Sequence, residues 1–250
     1  MINVDRSTTV PESLDTHEIR QYLDKLAEYK VDQEKPKEYR TVDKPKCNAV
    51  YRNLDLFEIF DECFFKKCYL TEEVFNTSWE MDVEHFVSRD EQPELKYKWT
   101  NLYPASHDAN MMKPRSTPKG GYLDPCDPND DVEGSIRYFF EFLTEDVSFE
   151  AVDLSNLKAV NTAKLLDKVH NGDKLETQLK RVGLKTAIRK KYVNVVEYIT
   201  EWQKACLDGD RDEEFRLKNI LKGLLSRKAS FTMLIRSTRR VKALPAEFFD

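Results

Sequence analysis

Glycine is scarce in this chain, at 7 of 250 residues, where an ordinary domain carries about 7%. Neither G-x-G-x-x-G nor G-x-x-x-x-G-K-[ST] occurs, which excludes the glycine-rich loops that cradle nucleotide phosphates. Long apolar runs are missing too. No stretch approaches the ~20 residues of a membrane span, and the polar residues 1–10 lack the apolar heart of a secretory signal. A cytoplasmic protein with no membrane partner is expected. Five cysteines, an odd number, do not make a secreted disulfide framework.

What the chain does contain is charge, at 34%, beside 40% hydrophobic and 11% aromatic residues. That is enough apolar material for a core and excludes global disorder. With so few glycines it favours helices. The net charge of −5 divides unevenly: residues 1–150 hold 19 Lys and Arg against 32 Asp and Glu, and residues 151–250 hold 21 against 13. The basic second half calls for an anionic partner, for docking on the acidic half, or for nothing beyond a solvated surface.

Ile19, Tyr22, Leu23, Leu26 and Tyr29 fall at helical spacing over 15–30, with Thr16 as the N-cap. Residues 31–48, charged and carrying Pro36 and Pro45, read as a linker or wrapping arm, and a short helix is expected over 53–65. Residues 66–130 change character, with two of the three tryptophans, two histidines and clustered Pro, Asn and Asp. Short strands and the unusual chemistry are expected there. Helices are expected from 131 onward. Over 175–206 the residues Leu175, Leu179, Val182, Ile188, Tyr192, Val195, Ile199, Trp202 and Cys206 suggest one apolar seam. Lys180, Arg181, Lys185 and Arg189 lie off it, as a nucleic-acid contact or equally as a solvated face.

The informative stretch reads Trp79-Glu-Met-Asp82-Val-Glu84-His85-Phe86, then Trp99-Thr-Asn101-Leu102, then Asn110-Met-Met-Lys113. Hydrolysis of a phosphodiester needs a base near neutral pKa to activate water, and histidine suits it. It is helped by a hard divalent cation on oxygen ligands and by a polar group that holds the imidazole in its working tautomer. Glu84, His85, Asn101 and Asn110 supply a candidate for each need.

In this order and spacing the stretch resembles the HNH endonucleases, the ββα-metal nucleases, and among them the branch with Glu-His-Phe, Trp-x-Asn-Leu and Asn-x-x-Lys. The resemblance implies a mostly helical α+β protein. A small ββα-metal core (56–130) would lie between an N-terminal helical arm (1–55) and a C-terminal helical domain (131–250). It implies that His85 acts as general base, that Asn101 orients it, and that Glu84 and Asn110 ligate one Mg2+ or Mn2+, with Asp82 as an alternative carboxylate. Arg89 and Lys113 would lie beside phosphates. The downstream Leu123-Asp124-Pro125, and more weakly residues 161–166 and 230–236, extend the resemblance to the HNH effector subunits of Septu- and retron-type anti-phage systems. Those subunits act beside an ATPase, so DNA and an ATPase subunit are the expected partners. Two rivals remain: a catalytically silent subunit acting in assembly or DNA binding, and a nuclease directed at RNA.

Many members of the branch hold a structural zinc on two C-x-x-C pairs. The corresponding residues here are Cys68, Thr71, Ser106 and Ala109, which cannot close a tetrahedral site. Phe64, Phe65, Tyr69 and Leu70 are the expected fillers in place of the ion. The purified protein is therefore expected to hold well under one zinc per chain by elemental analysis and to stay folded in a strong chelator; a stoichiometric zinc would show that the substitutions are read in the wrong register.

Overall fold

The computed structural model describes residues 1–47 and 53–250. Helices carry most of it, and two separate two-stranded antiparallel sheets complete a mostly helical α+β architecture. Among the described residues no helix is long and apolar enough to cross a membrane.

Helix α1 (His17–Gln33) starts where the Thr16 hydroxyl accepts the Ile19 amide at 3.3 Å, and it buries Ile19, Tyr22 and Leu26 on one face. The arm that follows is ordered. Asp32, buried near the end of α1, takes the amides of Thr41 and Val42 at 2.8 and 2.9 Å and the Lys35 ammonium at 2.8 Å. The arm then wraps back: the Cys47 carbonyl accepts Lys96 Nζ at 2.8 Å and the Tyr97 hydroxyl at 3.3 Å. The last residue of the expected linker, 48, and residues 48–52 of the expected arm 1–55 lie outside the described residues.

Helix α2 (Leu54–Phe64) buries Leu56, Phe60 and Phe64 and stops as Phe65 and Lys66 enter the left-handed region. Strand β1 (Met81–His85) pairs with β2 (Leu102–Ser106), Met81 opposite Ser106 and His85 opposite Leu102. Helix α3 (His107–Met112) follows β2 with no intervening residue. Tyr103, fully enclosed, is the centre of this unit. Its ring lies 4.9 Å from that of Tyr69, 5.2 Å from Phe86 and 5.8 Å from Phe64. From below, the Arg6 guanidinium stacks 4.3 Å from Tyr103 and 4.5 Å from Trp99, and donates to the carbonyls of Trp99 and Leu102. Cys68, Thr71 and Ala109 are buried and the Ser106 hydroxyl is enclosed; Phe64, Tyr69 and Leu70 are buried and Phe65 partly so. Trp79 departs from expectation. An aromatic beside a hairpin is most simply a core residue, as Trp99 and Tyr103 are, but Trp79 is 79% exposed, because it sits in the turn 78–80 ahead of the alternation that turns Met81 inward.

After a single turn, α4 (Val132–Ser135), the chain forms a second hairpin, β3 (Ile136–Glu141) with β4 (Asp146–Ala151). Helices alone were expected from 131, so this corrects the reading. The signal was there at period two: Ile136 and Tyr138, then Val147, Phe149 and Ala151, face the core, and charged or exposed residues alternate with them. Helix α5 (Leu157–Asn171) packs on β4. It also holds the segment beyond α3, since the Thr162 hydroxyl accepts the Leu123 amide at 2.8 Å and Asn161 donates to the carbonyls of Lys119 and Gly121.

Helix α6 (Leu175–Asp208) follows the expected seam from Ile188 to Ile199 and leaves it at both ends. Leu175, Leu179, Val182 and Cys206 are exposed, whereas Arg181, Leu184 and Ala205 are buried. The rotation has an electrostatic cause: Arg181 turns inward to pair with Asp108 on α3. Helices α7 (Arg211–Leu225), α8 (Thr232–Ser237) and α9 (Arg239–Lys242) complete the chain. One apolar cluster runs through the whole, with members from Met1 to Phe248.

The Asp32 knot makes the arm sensitive to acid. The Lys35 ammonium, with the Val42 and Thr41 amides, holds the Asp32 carboxyl down to about 2 from 3.8. A depressed folded-state pKa stabilises above the unfolded value, so this contribution is complete above pH 3.8 and is lost as pH falls through about 2. Hydrogen exchange at Thr41 and Val42 is expected to accelerate over that window in the native chain, and to be fast at neutral pH in Asp32→Ala; equal protection in both would show that the knot does not hold the arm.

Candidate active site

Alternation along β1 places Asp82 and Glu84 on one face, and it is the face to which α3 and the residue after it reach. His85 ends the strand. An open cleft of about 490 Å³ lies here, and its walls bring together Glu84, His85, Arg89, Asn110, Lys113 and Arg115. Five of these carry an expected role. Arg115 does not, because it lies beyond the spaced motif and reaches the cleft only through the turn after α3. A larger groove of about 830 Å³ between β4 and α5 is lined by Phe149, Val160, Lys164 and their neighbours, and none of the expected site residues is among its walls.

His85 is partly enclosed. Its Nε2–H donates to the Lys96 carbonyl at 2.9 Å, which places the lone pair of the neutral ring on Nδ1. Burial lowers its pKa from 6.5 to about 4, and the Arg89, Lys113 and Lys96 cations add to this against the opposing Lys96 hydrogen bond. The imidazole is therefore neutral at pH 7.

Asn101 makes three bonds to the loop between the strands: its Oδ1 accepts the Val87 amide at 2.7 Å, and its Nδ2 donates to the carbonyls of Val87 and Leu95. The expected direct hold on His85 is thus an indirect one. Asn101 braces the loop, and the loop presents the Lys96 carbonyl.

Glu84 is 4% exposed. Its Oε1 accepts Lys113 Nζ at 2.5 Å and its Oε2 accepts the Tyr69 hydroxyl at 2.8 Å. Lys113 uses its remaining donors on the carbonyls of His85 and Phe86, both at 2.8 Å. With a side chain 6% exposed, it is an internal tie and has no donor left for a phosphate. Burial and the Glu84 charge push the Tyr69 phenol well above its ordinary pKa, so it stays a donor. Tyr69 is expected from the sequence only as a filler, and its part as a donor to Glu84 was not legible, since it depends on the 66–75 loop folding under β1.

At the other end of the same face Asp82 is met from α3 by two residues. Asn110 Nδ2 lies 3.1 Å and His107 Nδ1 2.9 Å from Asp82 Oδ2. Among the described residues no three His, Cys, Asp or Glu side chains gather where a metal could sit, so this group offers two such ligands and an amide. By chemistry, the carboxylates of Asp82 and Glu84 and the Asn110 amide oxygen are hard donors that fit Mg2+ or Mn2+. By geometry the fit is better at the Asp82–Asn110 end, because Glu84 is already satisfied by Lys113 and Tyr69.

Besides Lys113, the basic residues expected to meet nucleic acid are four on α6 and Arg89 at the cleft, where Arg115, for which no role was expected, joins it. Lys180 pairs with Glu176, Lys185 with Asp146 and Arg189 with Glu145, at 3.3, 3.9 and 2.7 Å. Arg181 is enclosed with Asp108 and offers no surface. Arg89 and Arg115 are exposed at the cleft and make no side-chain hydrogen bond or ion pair among the described residues.

No family model, no curated protein and no solved structure matches the chain.

Removing one partner of a buried ion pair leaves the other charge uncompensated, at a cost of about 3–5 kcal/mol. Lys113→Met is expected to lose stability in that range by urea denaturation. The double variant Lys113→Met with Glu84→Gln is expected to regain most of it; equal losses in both would show that the charge pairing is not what holds β1 to α3.

Proposed function

We propose that the chain is a metal-dependent endonuclease of the HNH type that hydrolyses DNA phosphodiester bonds, the nuclease effector of a bacterial anti-phage complex. One observation carries this reading: His85, Glu84, Arg89 and Asn110, spread over 27 positions of the sequence, converge on one open cleft at a β-β-α unit. The neutral His85 ring takes a proton from water at Nδ1, while the Lys96 carbonyl keeps Nε2 protonated and Asn101 keeps the carbonyl in place. Arg89 and Arg115 meet the phosphates that flank the cleft. Asp82 and Asn110 would hold the Mg2+ or Mn2+ ion, which when bound would supply charge stabilisation at the phosphate and the leaving oxygen, while Glu84, engaged by Lys113 and Tyr69, would brace β1 from inside.

The DNA preference, the anti-phage role and an ATPase subunit as partner rest on the family resemblance. The partner also accords with a chain that has no phosphate-binding loop of its own. A second reading, a silent subunit that keeps the fold, draws on the engagement of Glu84 by Lys113 and Tyr69.

Loss of a general base lowers rates by about 10²–10⁴. With supercoiled plasmid and Mg2+ or Mn2+, in the presence and absence of a candidate ATPase, His85→Ala is expected to lose cleavage by that factor while retaining DNA affinity. Cleavage at the native rate would remove His85 from the chemistry, and no cleavage by the native chain in any arm would favour the silent subunit. An RNA substrate cut in preference to the plasmid would redirect the reading to RNA.

A further inference from the structure

We propose that the free edge of β4 docks an extended segment of a partner protein, apolar at alternate positions and carrying an acidic residue, as a third strand of the second hairpin. The proposal rests on nothing in the nuclease reading. In an antiparallel pair, alternate residues turn their backbone groups to the partner strand and the others turn them outward. The Val152 amide donates to the Ser135 carbonyl at 2.9 Å, and the pairing runs on from Ala151 opposite Ile136 to Asp146 opposite Glu141. Glu150, Ser148 and Asp146 therefore bond inward, as Val152 does just beyond the strand. Val147, Phe149 and Ala151 face outward. One outward group confirms the direction, since the Val147 carbonyl accepts Asn171 Nδ2, at the end of α5, at 2.9 Å. Past that cap, among the described residues, no hydrogen bond reaches the outward amides and carbonyls of Phe149 and Ala151.

An edge with free donors and acceptors templates another strand unless charge, proline or a covering element blunts it. This one opens on the groove of about 830 Å³ between β4 and α5. Exposed Val152 and Leu154 continue the edge as apolar surface, and Val160 and Ala163 of α5 form the facing wall. A guest residue opposite Phe149 or Ala151 turns its side chain to the same face as theirs, the one that α5 covers. The guest is therefore apolar at every second position, with main-chain bonds holding it to the edge. Charge adds the second requirement. Lys168 is tied to Asp173 at 3.0 Å, Asp167 accepts Asn171, and Arg137 stands opposite Glu150 across the hairpin. Lys164, exposed on α5, makes no hydrogen bond or ion pair among the described residues, so the wall keeps one uncompensated cation for a carboxylate to meet. A second copy of the chain fits less well. Twofold pairing of two β4 edges would bring both α5 helices, each about 22 Å long and ~10 Å wide, to one groove.

Selection of a displayed library of random peptides, about twelve residues long, against the full chain tests this. Enriched peptides are expected to alternate apolar residues and to carry Asp or Glu. When the best of them is bound as a synthetic peptide, hydrogen exchange should slow at the Phe149 and Ala151 amides and stay unchanged at Glu150, which is already bonded. Ala151→Pro removes an outward amide that the hairpin does not use and sets a ring on the edge, so it blocks addition and spares the pair. It is expected to weaken the peptide at least about tenfold. Lys164→Glu, an exposed change that does not threaten the fold, should weaken it about threefold or more, and the peptide with its acid replaced by the amide should not feel that change. No enriched peptide, or peptides bound equally by the native chain and by both variants, would overturn the inference. So would a concentration-dependent dimer that already protects the Phe149 and Ala151 amides, because the occupant would then be a second copy.

Discussion

A carboxylate shut away from water needs a cation and a donor, and the way Glu84 finds them organises the centre of this protein. Its charge is met by Lys113, which arrives from just beyond α3, and by Tyr69, which arrives from the loop ahead of β1. Lys113 then spends its other donors on the carbonyls of His85 and Phe86. One ammonium thus ties the end of the first strand to the end of the helix and sets where the chain leaves the sheet. His85 stands at that point, and so its ring direction depends on the same tie.

Two longer-range contacts support the unit from outside. Arg6 stacks beneath Trp99 and Tyr103 and bonds the carbonyls on either side of the Asn101 turn. Asn101 in turn braces the loop that carries Lys96, so the N-terminal segment bears on His85 through three successive contacts. From the other side Arg181 of the long helix grips Asp108 in the first turn of α3, two residues before Asn110. The N-terminal segment and the long helix are therefore more than a frame. They contact the two places, the loop and α3, on which the cleft geometry rests.

Much of the local order was legible before any coordinates. The Thr16 cap, the faces of α1 and α2 and the middle of α6 follow from spacing, because a helix of period 3.6 buries what recurs at that period. The second hairpin is equally written in the alternation of 136–151, a period of two that the helix expected from 131 onward does not share. The start of α6 was not legible, since Leu175, Leu179 and Val182 extend the apolar seam perfectly well as sequence. It took Asp108, 73 positions away, to turn Arg181 inward and those three outward.

The candidate site divides along the same line. Residue types and their order, Glu84-His85, Asn101 and Asn110, are properties of the sequence, because the chemistry of a base, a brace and an oxygen ligand belongs to side-chain type. Which atom each one meets is not. That Asn101 acts through the Lys96 carbonyl, that Lys113 faces inward, that Arg115 faces the cleft and that His107 joins Asn110 at Asp82 were decided only when β1, β2 and α3 closed on each other. Hydrogen bonds and ion pairs fall off within a few ångströms, whereas spacing along a chain fixes position only within one element.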